Sequence, residues 1–108
     1  MSDEVTLYFQ TPEREKPLVP RQIGEVVNDL SHYIYGLQDT GVVKNAGVEY
    51  FSKAFPLNKE AVTKDFLESG YEPKDETLLT RMTFTDPEKV EPIKKGLKAR
   101  FELDVMDF

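Results

Sequence analysis

The sequence predicts a single α+β domain over residues 1–108, built as a two-layer sandwich of a three- or four-stranded sheet with helices on one face. Two features predict it: a strand–helix–strand succession over residues 78–105, and a long amphipathic helix over residues 20–37. The 108-residue length is that of one domain. With a further strand at 48–55, the order would follow a ferredoxin-like β-α-β-β-α-β pattern, with one extra helix inserted.

The first strand is predicted at residues 4–10, where apolar and polar side chains alternate. Its apolar side comprises Val5, Leu7 and Phe9. Residues 11–19 contain two prolines and a mixed run of charges, which is typical of an exposed loop. The helix at 20–37 follows, because apolar residues recur there at intervals of three and four. This stripe comprises Ile23, Val26, Val27, Leu30, Ile34 and Leu37.

Residues 40–55 allow two interpretations. Residues 44–47 have the composition of a turn, and residues 48–55 fit either a strand or a helix. Gly47 and Pro56 bound a short segment, which favours the strand; with a helix instead, the sheet would have three strands. A helix is then predicted at 58–69, capped by Asn58 and ended by Gly70. Its inward residues are predicted to be Val62, Phe66 and Leu67.

The stretch from residue 78 to residue 105 begins with a predicted half-buried strand at 78–85. The residues on its apolar side are Leu78, Thr80, Met82 and Phe84. Pro92 is unsuited to a helix interior, so an irregular turn is expected at 86–91 and a helix at 92–99. A last strand is predicted at 101–105, with Phe101, Leu103 and Val105 inward. Strands joined in this way are expected to be parallel, either as neighbours or flanking a third strand.

Composition excludes several functions. The absence of cysteine rules out disulfides, thiolate metal sites and thiol nucleophiles, and it favours the cytoplasm. A net charge of −6 disfavours binding to nucleic acid. The acidic start of the chain is unlike a signal peptide, and no apolar run is long enough to enter a membrane. Neither a cofactor nor a metal is expected, since the chain has no glycine-rich phosphate loop and no zinc-ligand spacing.

The helix at 20–37 carries one cluster of candidate site residues: Glu25, Asp29, His32, Tyr33 and Tyr35. Glu25 and Asp29 are one turn apart, and Asp29 is three residues before His32, so a carboxylate can orient the imidazole or the group can contribute to a metal site. The same spacing is ordinary on a solvent-exposed helix face. The two tyrosines cannot both face the centre of the apolar stripe. At least one is therefore expected at its edge or exposed, and tyrosine is favoured at protein interfaces.

These observations favour a small, acidic interaction or adaptor module without catalytic activity, which binds a protein partner or a second copy of itself. The predicted contact residues are His32, Tyr33, Tyr35 and Phe108. One alternative is a regulatory domain that binds a small ligand, a role that such folds often serve. A second is a small enzyme using Asp29 and His32 with Tyr35. Ser31 is excluded as its nucleophile, because adjacent helix positions point apart.

Overall fold

The computed structural model describes residues 4–13, 15–54 and 61–106. The described elements follow the order β1 (Val5–Gln10), α1 (Pro20–Asp39), β2 (Val43–Phe51), α2 (Ala61–Glu68), β3 (Thr77–Phe84), α3 (Val90–Phe101) and β4 (Asp104–Met106). A single 3₁₀ turn at Pro87–Lys89 precedes α3. The α+β class is confirmed, and the sheet has four strands.

The sheet has the strand order β2-β3-β1-β4, and each pairing is antiparallel. Two strands that flank a common antiparallel neighbour run parallel to each other. Hence β3 and β4 are parallel and flank β1, one of the two arrangements expected for strands joined by α3. In the same way β1 and β2 flank β3. These two interlocked βαβ units form the ferredoxin-like arrangement, which by itself implies no function.

The main core lies between the sheet and two helices, α1 and α3. Its fully buried members include Phe9, Leu30, Ile34, Met82, Phe84 and Leu97. The prediction of helices on one face holds for α1 and α3, whereas α2 packs on the opposite face. There Val62 and Phe66 of α2 cover Leu79, which is fully buried. The strand β3 is consequently buried on both faces rather than half-buried.

The second strand is present, but it begins earlier than predicted. The residues expected to form a turn instead form a bulge, because the pairing with β3 shifts between Lys44 and Gly47. Asn45 adopts a left-handed conformation there, with φ 51°. A Cβ on Gly47 would lie 2.8 Å from Cγ2 of Val62, so glycine allows α2 to pack closely over β2. The predicted end of this strand, Phe55, lies outside the described residues.

The boundary between α3 and β4 differs from the prediction. The helix begins at Val90, which places Pro92 in the first turn, where a missing N–H breaks no helical hydrogen bond. The helix also includes Phe101, which was expected in the last strand. Leu103 is buried as predicted. Val105 is paired with the buried Phe9, so it faces the core side of the sheet as predicted, but it is 36% exposed because it lies on a short strand at the edge of the sheet.

The end of α2 confirms the predicted glycine cap. Gly70 has φ 86°, its N–H donates to the carbonyl of Leu67 at 3.1 Å, and the N–H of Tyr71 donates to the carbonyl of Phe66 at 3.2 Å. Val62 and Phe66 are buried as predicted. Leu67 is not: it is 40% exposed, at the margin of the helix face that meets the sheet. Asn58, the predicted cap at the start, lies outside the described residues.

Candidate functional site

The outer face of α1 is the surface that carries most of the predicted site residues. The helix turns its apolar stripe toward the sheet and buries Leu30 and Ile34. Since each residue advances the helix by about 100°, the opposite side forms a continuous exposed strip of some five turns. We call this strip the α1 outer face. Its exposed members are Arg21, Gly24, Glu25, Asn28, His32, Tyr35 and Asp39.

Tyr35 and His32 form an aromatic pair on the α1 outer face. The ring of Tyr35 meets the ring of His32 edge-on, with centroids 6.4 Å apart and planes at 78°. Tyr35 is 59% exposed, although it lies in a regular helix next to the buried Ile34. An aromatic ring held between its own helix and one neighbouring ring loses little further freedom on binding, so it is suited to a contact surface.

Tyr33 has a different environment from Tyr35, because it lies between α1 and α3. Its ring packs against Phe101 with centroids 5.7 Å apart, and the Arg100 guanidinium lies 5.3 Å from the ring centre. A Cβ on Gly96 would come within 2.9 Å of the Tyr33 hydroxyl. Tyr33 thus joins the two helices at the rim of the core. The remaining predicted contact residue, Phe108, lies outside the described residues.

The carboxylates predicted to accompany His32 have other surroundings. Glu25 pairs with Arg21 at 3.3 Å, one turn earlier on the α1 outer face. Asp29 instead lines a cleft of about 390 Å³ between α1 and α3, together with Arg100 and other residues of α3. In the described part of the chain, no hydrogen bond joins Asp29 to His32, and no group of three or more metal-ligating residues is assembled. The structure therefore does not bring this pair together as a catalytic unit.

A polar cluster between α2 and the sheet was not anticipated from the sequence. Asp65 of α2 accepts a hydrogen bond from the Tyr8 hydroxyl at 3.1 Å and another from Arg81 Nη1 at 2.5 Å, both at Oδ2. Burial raises the pKa of Tyr8, and the hydrogen bond to Asp65 and its negative charge raise it further, partly offset by Arg81. These groups belong to three elements far apart in sequence, so no local motif indicates them. Their contacts fasten α2 to the sheet.

Glu49 provides the second attachment of α2. Its side chain is 8% exposed and lies at the N-terminal end of α2. Its oxygens accept bonds from the N–H of Val62 at 2.5 Å, from the N–H of Thr63 at 3.0 Å and from the Thr63 hydroxyl at 2.5 Å. A buried carboxylate is favourable where helix N–H groups point at it. With both oxygens occupied in this way, Glu49 serves as a cap supplied by a neighbouring strand.

Two further clefts open elsewhere on the described surface. One, of about 450 Å³, is lined mostly by acidic residues: Glu13, Glu15, Pro17, Asp75 and Glu76. Its most buried carboxylate, Glu76, already accepts hydrogen bonds from Tyr50 at 2.7 Å and Ser52 at 2.6 Å. The other, of about 370 Å³, lies beside the exposed Leu67. Neither cleft brings together side chains in an arrangement that indicates catalysis or the binding of a particular ligand.

Comparison with known proteins finds no matching family model, no matching curated protein and no matching solved structure. Among the described residues, the helices lack the combination of length and apolar composition that a membrane span needs. Inference about function therefore depends on the geometry of the described residues, among which the α1 outer face has the clearest features of a contact surface.

Proposed function

We propose that this protein is a non-catalytic interaction module that acts in the cytoplasm and contacts its protein partner through the α1 outer face. One observation carries the proposal: Tyr35 is 59% exposed and stacks edge-on with the exposed His32. Four large apolar side chains are exposed among the described residues, and Tyr35 is the aromatic one. Tyrosine is enriched among the residues that dominate binding energy.

The arrangement around Tyr35 supports this role. Tyr33, two residues earlier, packs against Phe101 and Arg100 of α3. Removal of the Tyr33 ring is therefore expected to have a different effect from removal of the Tyr35 ring. Loss of Tyr33 would weaken the joint between the helices. Loss of Tyr35 would leave the fold intact and remove only the contact surface, since surface substitutions typically change stability by less than about 0.5 kcal/mol.

Photo-crosslinking in cells tests the proposal. A photoreactive phenylalanine analogue in place of Tyr35 should form a covalent adduct with the partner, and the further change His32→Ala should reduce the yield. The same analogue in place of Lys95, an exposed residue of α3, is the matched control and should give no such adduct. Equal adducts from both positions, or none from position 35, would contradict the proposal.

The cleft between α1 and α3 favours a second candidate, the binding of a small polar ligand. Its lining includes Asp29 and Arg100, which have opposite charges, a second carboxylate on Glu102, and the ring of Phe101. A zwitterionic metabolite would match this pair of charges. A thermal-shift screen of amino acids and similar metabolites tests it: a rise in Tm that disappears in Arg100→Gln supports ligand binding, and no shift with any metabolite counts against it.

A further inference from the structure

The α1 outer face contains a glycine that the isolated chain does not explain. Gly24 lies within α1, where glycine costs roughly 1 kcal/mol relative to alanine. It is exposed, its φ is not left-handed, and no atom beyond the adjacent backbone of α1 lies within 4 Å of the position that a Cβ would occupy. No contact within the described structure therefore requires a glycine here. A bare backbone on an exposed helix does provide a shallow depression into which a side chain from another molecule fits.

Tyr35 has the position and shape to fill such a depression. It lies 11 residues after Gly24, which is three turns plus about 20°, so both fall on one line along α1 about 16 Å apart. One position is an exposed ring and the other is bare backbone. When two α1 helices lie antiparallel about a two-fold axis between residues 29 and 30, Tyr35 of each copy faces Gly24 of the other. The contact is then made twice, as a two-fold interface requires.

Pairs of polar residues on the α1 outer face are related by nearly the same two-fold axis. Arg21 and Asp39 are 18 residues apart, which is five full turns, and their midpoint is residue 30. In the antiparallel pair, Arg21 of one copy therefore faces Asp39 of the other with the opposite charge. Asn28 and His32 also have residue 30 as their midpoint, and these side chains can form a hydrogen bond across the axis. The three relations require the same axis to within half a residue.

From this complementarity we propose that the partner contacted by the α1 outer face is a second copy of this chain, paired antiparallel through α1. This inference rests on the proposed function and identifies the partner. A contact limited to one helix from each copy lies at the small end of specific interfaces, below roughly 1,200 Å² in total. Its dissociation constant is therefore expected to be on the order of micromolar or weaker, as in a dimer that forms and separates with concentration.

Sedimentation equilibrium over a wide range of protein concentrations tests the pairing. The unaltered chain should change from the mass of one 12.4 kDa chain to twice that mass as concentration rises. Tyr35→Ala should weaken association by about tenfold or more, the effect expected for loss of a central aromatic contact. Arg21→Glu should weaken it as well, and the double variant Arg21→Glu with Asp39→Arg should recover affinity, because the exchanged charges again attract across the interface.

Two exposed glycines of α1 provide a matched pair of variants. Gly24→Gln fills the depression and should abolish pairing, even though it raises the Tm of the dilute monomer by a few degrees through better helix propensity. Gly36 also has no atom within 4 Å of the Cβ position, but it lies about 120° around the helix from Gly24. Gly36→Gln should raise the Tm similarly and weaken pairing much less than Gly24→Gln, because it lies on the opposite flank of the α1 outer face from the Tyr35–Gly24 contact. If glycine at position 24 mattered only for the stability of the helix, the two variants would not differ in association.

The outcomes distinguish this inference from the proposed function. A chain that remains a monomer up to about 1 mM, or a dimer unaffected by Gly24→Gln and Tyr35→Ala, would overturn antiparallel pairing. If the photo-crosslinker at position 35 then captured a different protein in a manner dependent on His32, the proposed function would stand without self-association. If neither the dimer nor such an adduct is found, both antiparallel pairing and the proposed function are overturned.

Discussion

Removal of the Glu49 carboxylate is predicted to destabilise the attachment of α2. Glu49→Ala leaves three buried donors without an acceptor: the N–H groups of Val62 and Thr63 and the Thr63 hydroxyl. Loss of a helix cap costs about 0.5–2 kcal/mol, and each buried unsatisfied donor costs about 1–3 kcal/mol unless water reaches it. Because the structure can relax in part, we expect Glu49→Ala to lower the free energy of unfolding by about 3 kcal/mol. Glu49→Gln keeps one oxygen as an acceptor and should lose about 1–2 kcal/mol.

Urea unfolding followed by circular dichroism measures these losses, and amide hydrogen exchange locates them. Faster exchange in Glu49→Ala should begin within α2, because its attachment to the sheet is what the substitution removes. Glu68 lies on the same helix but is exposed, so Glu68→Ala is the matched control and should change stability by less than about 0.5 kcal/mol. A loss below about 1 kcal/mol for Glu49→Ala, or one equal to that of the control, would refute the argument.

Three further predictions concern other details of the fold. Gly47→Ala should destabilise the protein by about 1–3 kcal/mol in urea unfolding, because the added Cβ would lie 2.8 Å from Val62 Cγ2; an unchanged midpoint would show that α2 shifts freely. Glu102→Gly should stabilise it by about 1 kcal/mol, since φ is 58° at the end of α3; a lower Tm would contradict this. The raised pKa of Tyr8 means that the folded state holds this proton more tightly than the unfolded chain, so stability should fall as the pH rises above 10.0, and Tyr8→Phe should reduce that fall.

Elements with a clear period were predictable from local sequence. The alternation in β3 and the stripe in α1 are strong local signals, and both elements appear close to the expected bounds. The bulge in β2 was not predictable, since turn-forming residues such as Asn45 and Gly47 satisfy the same local preferences in a turn and in a bulge. Only pairing with the distant β3 decides between them. Phe101 was ambiguous for a related reason: it continues both the helical spacing from Leu97 and the alternation toward Leu103.

The sequence predicted the type of residue in the proposed contact surface, but not how these residues are arranged. Tyr33 and Tyr35 lie about 200° apart on a helix, so one of them had to leave the apolar stripe. Which ring packs and which is exposed depends on the place where α3 docks, and that placement brings Phe101 against Tyr33. The face covered by α2 likewise depends on long-range packing. Sequence patterns show which residues are apolar. Which tyrosine is buried and which face of the sheet α2 covers depend instead on how distant segments pack together.

Above all, we propose that the α1 outer face pairs with the same face of a second copy of this chain. Two-dimensional ¹H–¹⁵N NMR spectra of the labelled protein, recorded from dilute to concentrated solution, test it most directly because they locate a contact residue by residue. We expect concentration-dependent shifts confined to α1 around Gly24, Asn28, His32 and Tyr35, and these shifts should vanish in Gly24→Gln. Spectra that do not change with concentration, or shifts centred on another element such as the edge strand β2, would contradict it.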